Sequence, residues 1–292
     1  MTSHHQQAIL IAPTAAAETM ALQRPDNGSS NWQTVLISVL TCVAFWPLAP
    51  WYLARVMPAS ERFSAVLAFV TFCVFVIRDR SPAKREFSSL ALPTVLLLLY
   101  AISYRFLPGL ASATLAVLTI AAIISPKVYG VRIHPGICGL LLLSLPLLSR
   151  LQFFLGFPLR VAVGAMAAPL LQIAGLAVVR EGAVLRSGTD LIVIDAPCSG
   201  IKMLWAAAYL TCILCCFYRL SPSRTVVAGL GAFILVLFGN VLRSTALFFF
   251  EVGAVESSPA THSGTGVVAF LGVGLGILWI VRRIGGEHPC VD

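Results

Sequence analysis

Residues 225–250 read TVVAGLGAFILVLFGNVLRSTALFFF, an apolar run interrupted by one charge, Arg243. About 20 such residues suffice to cross the hydrocarbon core of a bilayer as a helix. Lipid offers no partner to free backbone groups, so a helix is the form such a run must take. The same reading outward along the chain gives seven more candidates: Trp32–Leu53, Phe63–Ile77, Ser89–Tyr104, Gly109–Ile124, Gly136–Phe157, Gly200–Phe217 and Thr265–Val281. The expected fold is therefore an all-α polytopic membrane protein of about eight transmembrane helices. Composition agrees, since 58% of the 292 residues are hydrophobic and 11% charged, against about 25% charged in soluble domains.

The net charge of +8 invites a nucleic-acid reading, but its distribution gives another. With eight spans, Arg24, Arg78, Arg80, Lys84, Arg85, Lys127, Arg132, Arg219, Arg224, Arg282 and Arg283 all fall on one side, eleven of the 20 basic residues, clustered at span ends. Basic loops stay in the cytoplasm, so both termini are expected there, with residues 158–199 and 251–264 on the outer side. The charge orients the chain in lipid and calls for no nucleic acid. Residues 1–31 are polar and are expected to be a disordered cytoplasmic lead-in without a removable signal peptide.

One region departs from the pattern of spans and short loops. In Pro158–Val179, Leu159, Val163, Met166, Leu170, Ile173 and Leu176 recur at spacings of three and four. That period predicts an amphipathic helix on the outer membrane face; a re-entrant or ninth spanning helix is the competing reading. Two short β-type runs then flank Ser187-Gly188-Thr189-Asp190, which predicts a hairpin before the sixth span. The hairpin delivers the chain to Asp195-Ala196-Pro197-Cys198-Ser199-Gly200.

Eight cysteines are present. Cys42, Cys73, Cys138, Cys212, Cys215 and Cys216 lie in apolar stretches, where cysteine behaves as a small hydrophobe. Cys212-x-x-Cys215 has the spacing of half a metal or redox site, but no second half follows. Cys198 sits at a helix start among Pro197, Ser199 and Gly200. There it either packs like the others or, with free backbone N–H groups and the positive dipole end beside it, favours the thiolate and holds an oxyanion. Gly200 would let a substrate backbone come close. A charge inside a span is a functional hypothesis by default; Arg243 has Asn240 one turn earlier to orient its guanidinium. Snorkelling to lipid phosphates is the alternative for Arg243; Lys202 either snorkels or helps to depress the pKa of the thiol. His262, just before the last span, is a candidate proton shuttle. Asp195 orients that imidazole or simply ends the hairpin.

Ala196-Pro197-Cys198-Ser199-Gly200, Asn240-x-x-Arg243 and His262 before the last span, with the preceding helix and hairpin, resemble the exosortase/archaeosortase family over roughly Phe157–Ile280. The resemblance implies a membrane cysteine transpeptidase: Cys198 as nucleophile, Arg243 on substrate or oxyanion, His262 as acid and base. Ser199, Gly200, Asn240 and Asp195 would be supporting residues. It implies as substrates secreted proteins with a C-terminal PEP-CTERM-like signal, made of a short motif, a spanning helix and a basic tail. Such systems accompany exopolysaccharide production in Gram-negative bacteria. The expected location is the cell inner membrane, with the active site on the periplasmic side. Pro197 and Lys202 depart from common members and mark a divergent subtype. No cofactor and no metal is implied. Four regions follow: the N-terminus 1–31, five helices in 32–157, a catalytic core with three helices in 158–283, and a cytoplasmic tail 284–292. A rival reading is a non-catalytic channel or transporter with Arg243 and His262 in a polar path.

Overall fold

The computed structural model describes residues 35–36, 39–79, 90–188, 190–194, 199–251 and 259–286. The expected disorder of Met1–Ser30 lies outside these residues, as do Asp195 and Cys198. The chain divides into two units, residues 1–43 and 44–292, and the architecture below is that of the second. Its elements are α1 (Leu48–Val56), α2 (Ala59–Arg78), α3 (Ala91–Ser103), α4 (Gly109–Tyr129), α5 (Pro135–Leu143), α6 (Leu148–Ile173), β1 (Val178–Glu181), β2 (Val184–Ser187), β3 (Asp190–Val193), α7 (Ile201–Phe217), α8 (Pro222–Glu251) and α9 (Pro259–Gly285).

The molecule is mostly helical, and α4, α6, α8 and most of α9 are long and apolar enough to cross a membrane. Val39–Phe45 and Leu48–Val56, taken together across their break, would make a fifth span. Ala91–Ser103 and Ile201–Phe217 are apolar but shorter. The outward faces are oily: Leu230, Ile234 and Leu242 on α8 and Val268, Leu271 and Leu275 on α9 are all exposed. A surface like this suits lipid, where helices associate by close van der Waals contact on small residues and not by the hydrophobic effect. The α8–α9 seam follows that rule. A Cβ at Gly231 would come within 2.9 Å of Ile280, one at Gly276 within 2.8 Å of Leu235, and one at Gly239 within 2.5 Å of Val273.

The fifth expected span is corrected. Gly136–Phe157 is not one helix followed by a separate surface helix from Pro158; α5 ends at Leu143, and α6 runs unbroken from Leu148 to Ile173 through Pro158 and Pro169. The break sits at Pro146, and its backbone groups find distant partners. Tyr52 Oη donates to the Ser144 carbonyl at 3.0 Å. The Leu148 and Ser149 N–H groups donate to the Glu61 carboxylate at 3.2 and 2.6 Å, and Ser149 Oγ donates to it at 2.6 Å. Glu61, 3% exposed, thus caps the start of α6, where the helix dipole favours a negative charge.

The expected hairpin is present as β2 and β3, with Ser187 opposite Asp190. The structure adds β1 on the other edge, giving an antiparallel sheet of order β1-β2-β3. Leu185 and Ile194 turn inward and pack with Val163, Ala167 and Leu171 of α6 and Val241 and Phe248 of α8. This apolar base holds the end of β3 in place four residues before Cys198. The start of α7 adjoins that cluster, while further along its length α7 packs on α8 and α9 through Met203 and Ala207. Its far end joins α2, α4 and α5 through Cys216.

Candidate active site at the start of α7

Ser199 and Gly200 are the first described residues after the gap that holds Asp195 and Cys198. Gly200 is the N-cap of α7 with φ +79°, a left-handed conformation that side chains bearing a Cβ adopt at a cost. Its carbonyl accepts the first helical bond, from Leu204 N–H at 2.8 Å. The N–H groups of the first turn of α7 have no acceptor within the helix, and such groups attract an anion.

Two helices grip this turn. From α6, Gln152 Oε1 accepts a hydrogen bond from Ser199 Oγ at 3.1 Å, and Ser199 is 2% exposed. From α8, Asn240, 1% exposed, lies so close that a Cβ on Gly200 would be 3.0 Å from its Cγ. Gly200 is therefore required twice, for its backbone angle and for the space Asn240 occupies. A small cleft, with walls of Leu159, Val163, Leu204 and Val236, opens beside Ser199, Gly200 and Asn240.

Arg243 stands one helical turn beyond Asn240 on α8, on the same face. Its guanidinium lies along α9, where a Cβ at Gly266 would be 3.5 Å from Nε. The Nε is buried and has no hydrogen-bond partner among the described residues. An unsatisfied buried donor costs about 1–3 kcal/mol, more when charged, so the arrangement favours an anionic or carbonyl ligand. Position 262 lies one turn before Gly266 within α9, on the face turned to Arg243; the His262 side chain lies outside the described residues. Lys202 points to the exposed side of α7 while Ile201 and Met203 are buried, an arrangement suited to snorkelling.

The structure thus joins Ser199, Gly200, Asn240, Arg243 and the His262 turn of α9 along one strip. Sequence reading missed Gln152 and Gly266. Gln152 had a usable signal, being an uncharged polar side chain in the middle of an apolar stretch. Gly266 had none, because its role is only to let Arg243 lie flat. Two other thiols behave as packing groups: a Cβ at Gly139 would meet Cys212 Sγ, and one at Gly136 would meet Cys216 Sγ at 2.6 Å.

The sequence model of a protein family described as transmembrane exosortase matches residues 29–280. No curated protein matches the chain, and no solved structure does.

Proposed function

Since the chain belongs to the transmembrane exosortase family, we propose that it is a membrane cysteine protease/transpeptidase that removes a C-terminal sorting signal through a thioester at Cys198. The observation that carries this reading is the continuous strip from Ser199–Gly200 through Asn240 and Arg243 to the α9 turn of His262. A thiolate, a carbonyl-oxygen ligand and a proton carrier are what acyl transfer to sulfur requires.

The Cys198 thiolate attacks the carbonyl carbon of a peptide bond just outside the membrane. The carbonyl π-electrons move to oxygen, which is stabilised by Arg243 and the first N–H groups of α7. Their return expels the amine, and His262 delivers the proton that amine needs. The released piece is the spanning helix with its basic tail. In the second half, water or an acceptor amine attacks the thioester and gives its proton to His262, and the thiolate leaves. The Arg243 fork holds a carbonyl oxygen better than a point charge does. Substrates on this reading are secreted proteins carrying a PEP-CTERM-like signal. The enzyme crosses the inner membrane about eight times with its site on the periplasmic side.

Co-expression with a secreted reporter bearing a short motif, a spanning helix and a basic tail tests the proposal. Hydroxylamine added to the wild-type reaction should yield a hydroxamate of the shortened reporter. A reporter left intact by the wild type, or cleaved equally by Cys198→Ala, would overturn it. Topology fusions at Ser81 and Ser187 check the orientation separately, with cytoplasmic and periplasmic signals expected.

A further inference from the structure

We propose that Gln152 is a positioning residue for the nucleophile turn, an inference that rests on the reading of Cys198 as the nucleophile. The Ser199 hydroxyl is buried, and a buried hydroxyl needs a partner; Gln152 Oε1 supplies it at 3.1 Å. Because Ser199 adjoins Cys198, this bond resists rotation of the turn that aims the thiol. Gly200 against Asn240 holds the opposite side. With only one of the two grips the turn swings, and misplacement of a reacting atom by about 1 Å costs up to about 10²-fold in rate.

Two features prepare Gln152 for this task. Gly156 lies beneath its amide, where a Cβ would be 2.6 Å from Nε2, so the side chain rests flat along its own helix. Ser149 stands one turn earlier and is fixed to Glu61 by two bonds of 2.6 Å. The first turns of α6 are thereby tied to α2, and the amide is presented from a rigid element and not from a loop.

The test uses full-length protein in membranes and two readouts: kcat and KM for reporter processing, and the rate at which a membrane-impermeant maleimide alkylates Cys198, followed by mass spectrometry. Gln152→Ala and Ser199→Ala should each lower kcat about tenfold, the loss expected for one neutral hydrogen bond at its upper range, with KM unchanged. The double variant should lose no more than either single one, since both remove the same bond. Gln152→Glu, whose carboxyl accepts the same hydroxyl, should restore most of kcat. Alkylation of Cys198 should change in the two alanine variants and return in Gln152→Glu. Wild-type kcat and labelling in Gln152→Ala, losses that multiply in the double variant, or a Gln152→Glu as impaired as Gln152→Ala would each overturn the assignment. If Gln152→Ala does not accumulate in membranes, Ser199→Ala with wild-type kcat and labelling overturns it equally. If the wild type processes no reporter while Cys198 labelling still depends on Gln152, the proposed function fails and the positioning role stands.

Discussion

At the start of α7 the chain meets polar side chains from two other helices, Gln152 and Asn240. At its far end Cys212 and Cys216 meet the backbone of α5 at Gly139 and Gly136. The polar end leaves a buried cationic donor, Arg243 Nε, without a partner among the described residues. The thiol-rich end leaves both ring nitrogens of His134 buried without a partner among the described residues. There Tyr129 Oη donates to Asp79 at 2.9 Å, and Arg219 lies 5.4 Å over the Tyr129 ring. His134 stacks on that ring with centroids 3.9 Å apart. The two ends of one helix therefore differ in what is left unmatched among the described residues, a guanidinium donor at the first and an imidazole at the second.

The sharpest way to break this contrast is to exchange thiols for methyl groups at both ends. Cys198→Ala should reduce processing by at least about 10⁴-fold, as loss of a nucleophile does. Cys212→Ala and Cys216→Ala should process at near wild-type rates per folded molecule. Processing that survives Cys198→Ala and is lost with Cys212→Ala would invert the two ends. Next in size is Arg243→Lys, expected to lose about 10²–10³-fold in kcat, the range for removing an oxyanion donor; snorkelling alone would spare activity.

The buried histidine gives a third test. Burial, then the Arg219 charge, pushes His134 down to about 4, against a smaller upward pull from Asp79. Unfolded histidine titrates near 6.5. Between these values the unfolded chain binds more protons, so stability is full above about pH 6.5 and falls as the pH drops toward 4, by on the order of 3 kcal/mol. Thermal unfolding in detergent across that range should show the slope, and His134→Phe, which keeps the stack, should flatten it. The smallest effect is at the thiol-rich end. Gly139→Ala should destabilise by about 1–3 kcal/mol through overpacking, and Cys212→Ala should relieve it, because Cys212 supplies the close contacts there.

Helix existence was largely legible: Thr225–Phe250 appears as Pro222–Glu251 and Thr265–Val281 as Pro259–Gly285. Apolar length dictates those helices whatever surrounds them. The hairpin was legible from its turn residues, whereas β1 was absorbed into the predicted surface helix, since Val178 and Val179 continue an apolar run either way. The division at Pro158 was wrong for a reason that local sequence does not contain. Two prolines, Pro146 and Pro158, compete as breakers, and the break settles at Pro146, where Tyr52 and Glu61 satisfy the exposed backbone groups. Those partners lie 92 and 87 or 88 residues away. Of the candidate residues, Arg243 and Asn240 stood out in the sequence because polar groups in apolar runs are conspicuous. Gln152 was passed over because it stood far in sequence from the other candidates.

The anchoring of α6 by Tyr52 and Glu61 also bears on how the protein divides. A fragment beginning after α2 would carry the turn of Ser199, Asn240, Arg243 and all of α9, but would leave the Leu148 and Ser149 amides without the Glu61 carboxylate that accepts from them. It should accumulate poorly alone. The two hooks are not covalent, so a split gene expressing residues 1–86 and 87–292 as separate chains should reassemble in the membrane, and Glu61→Ala should weaken that complementation.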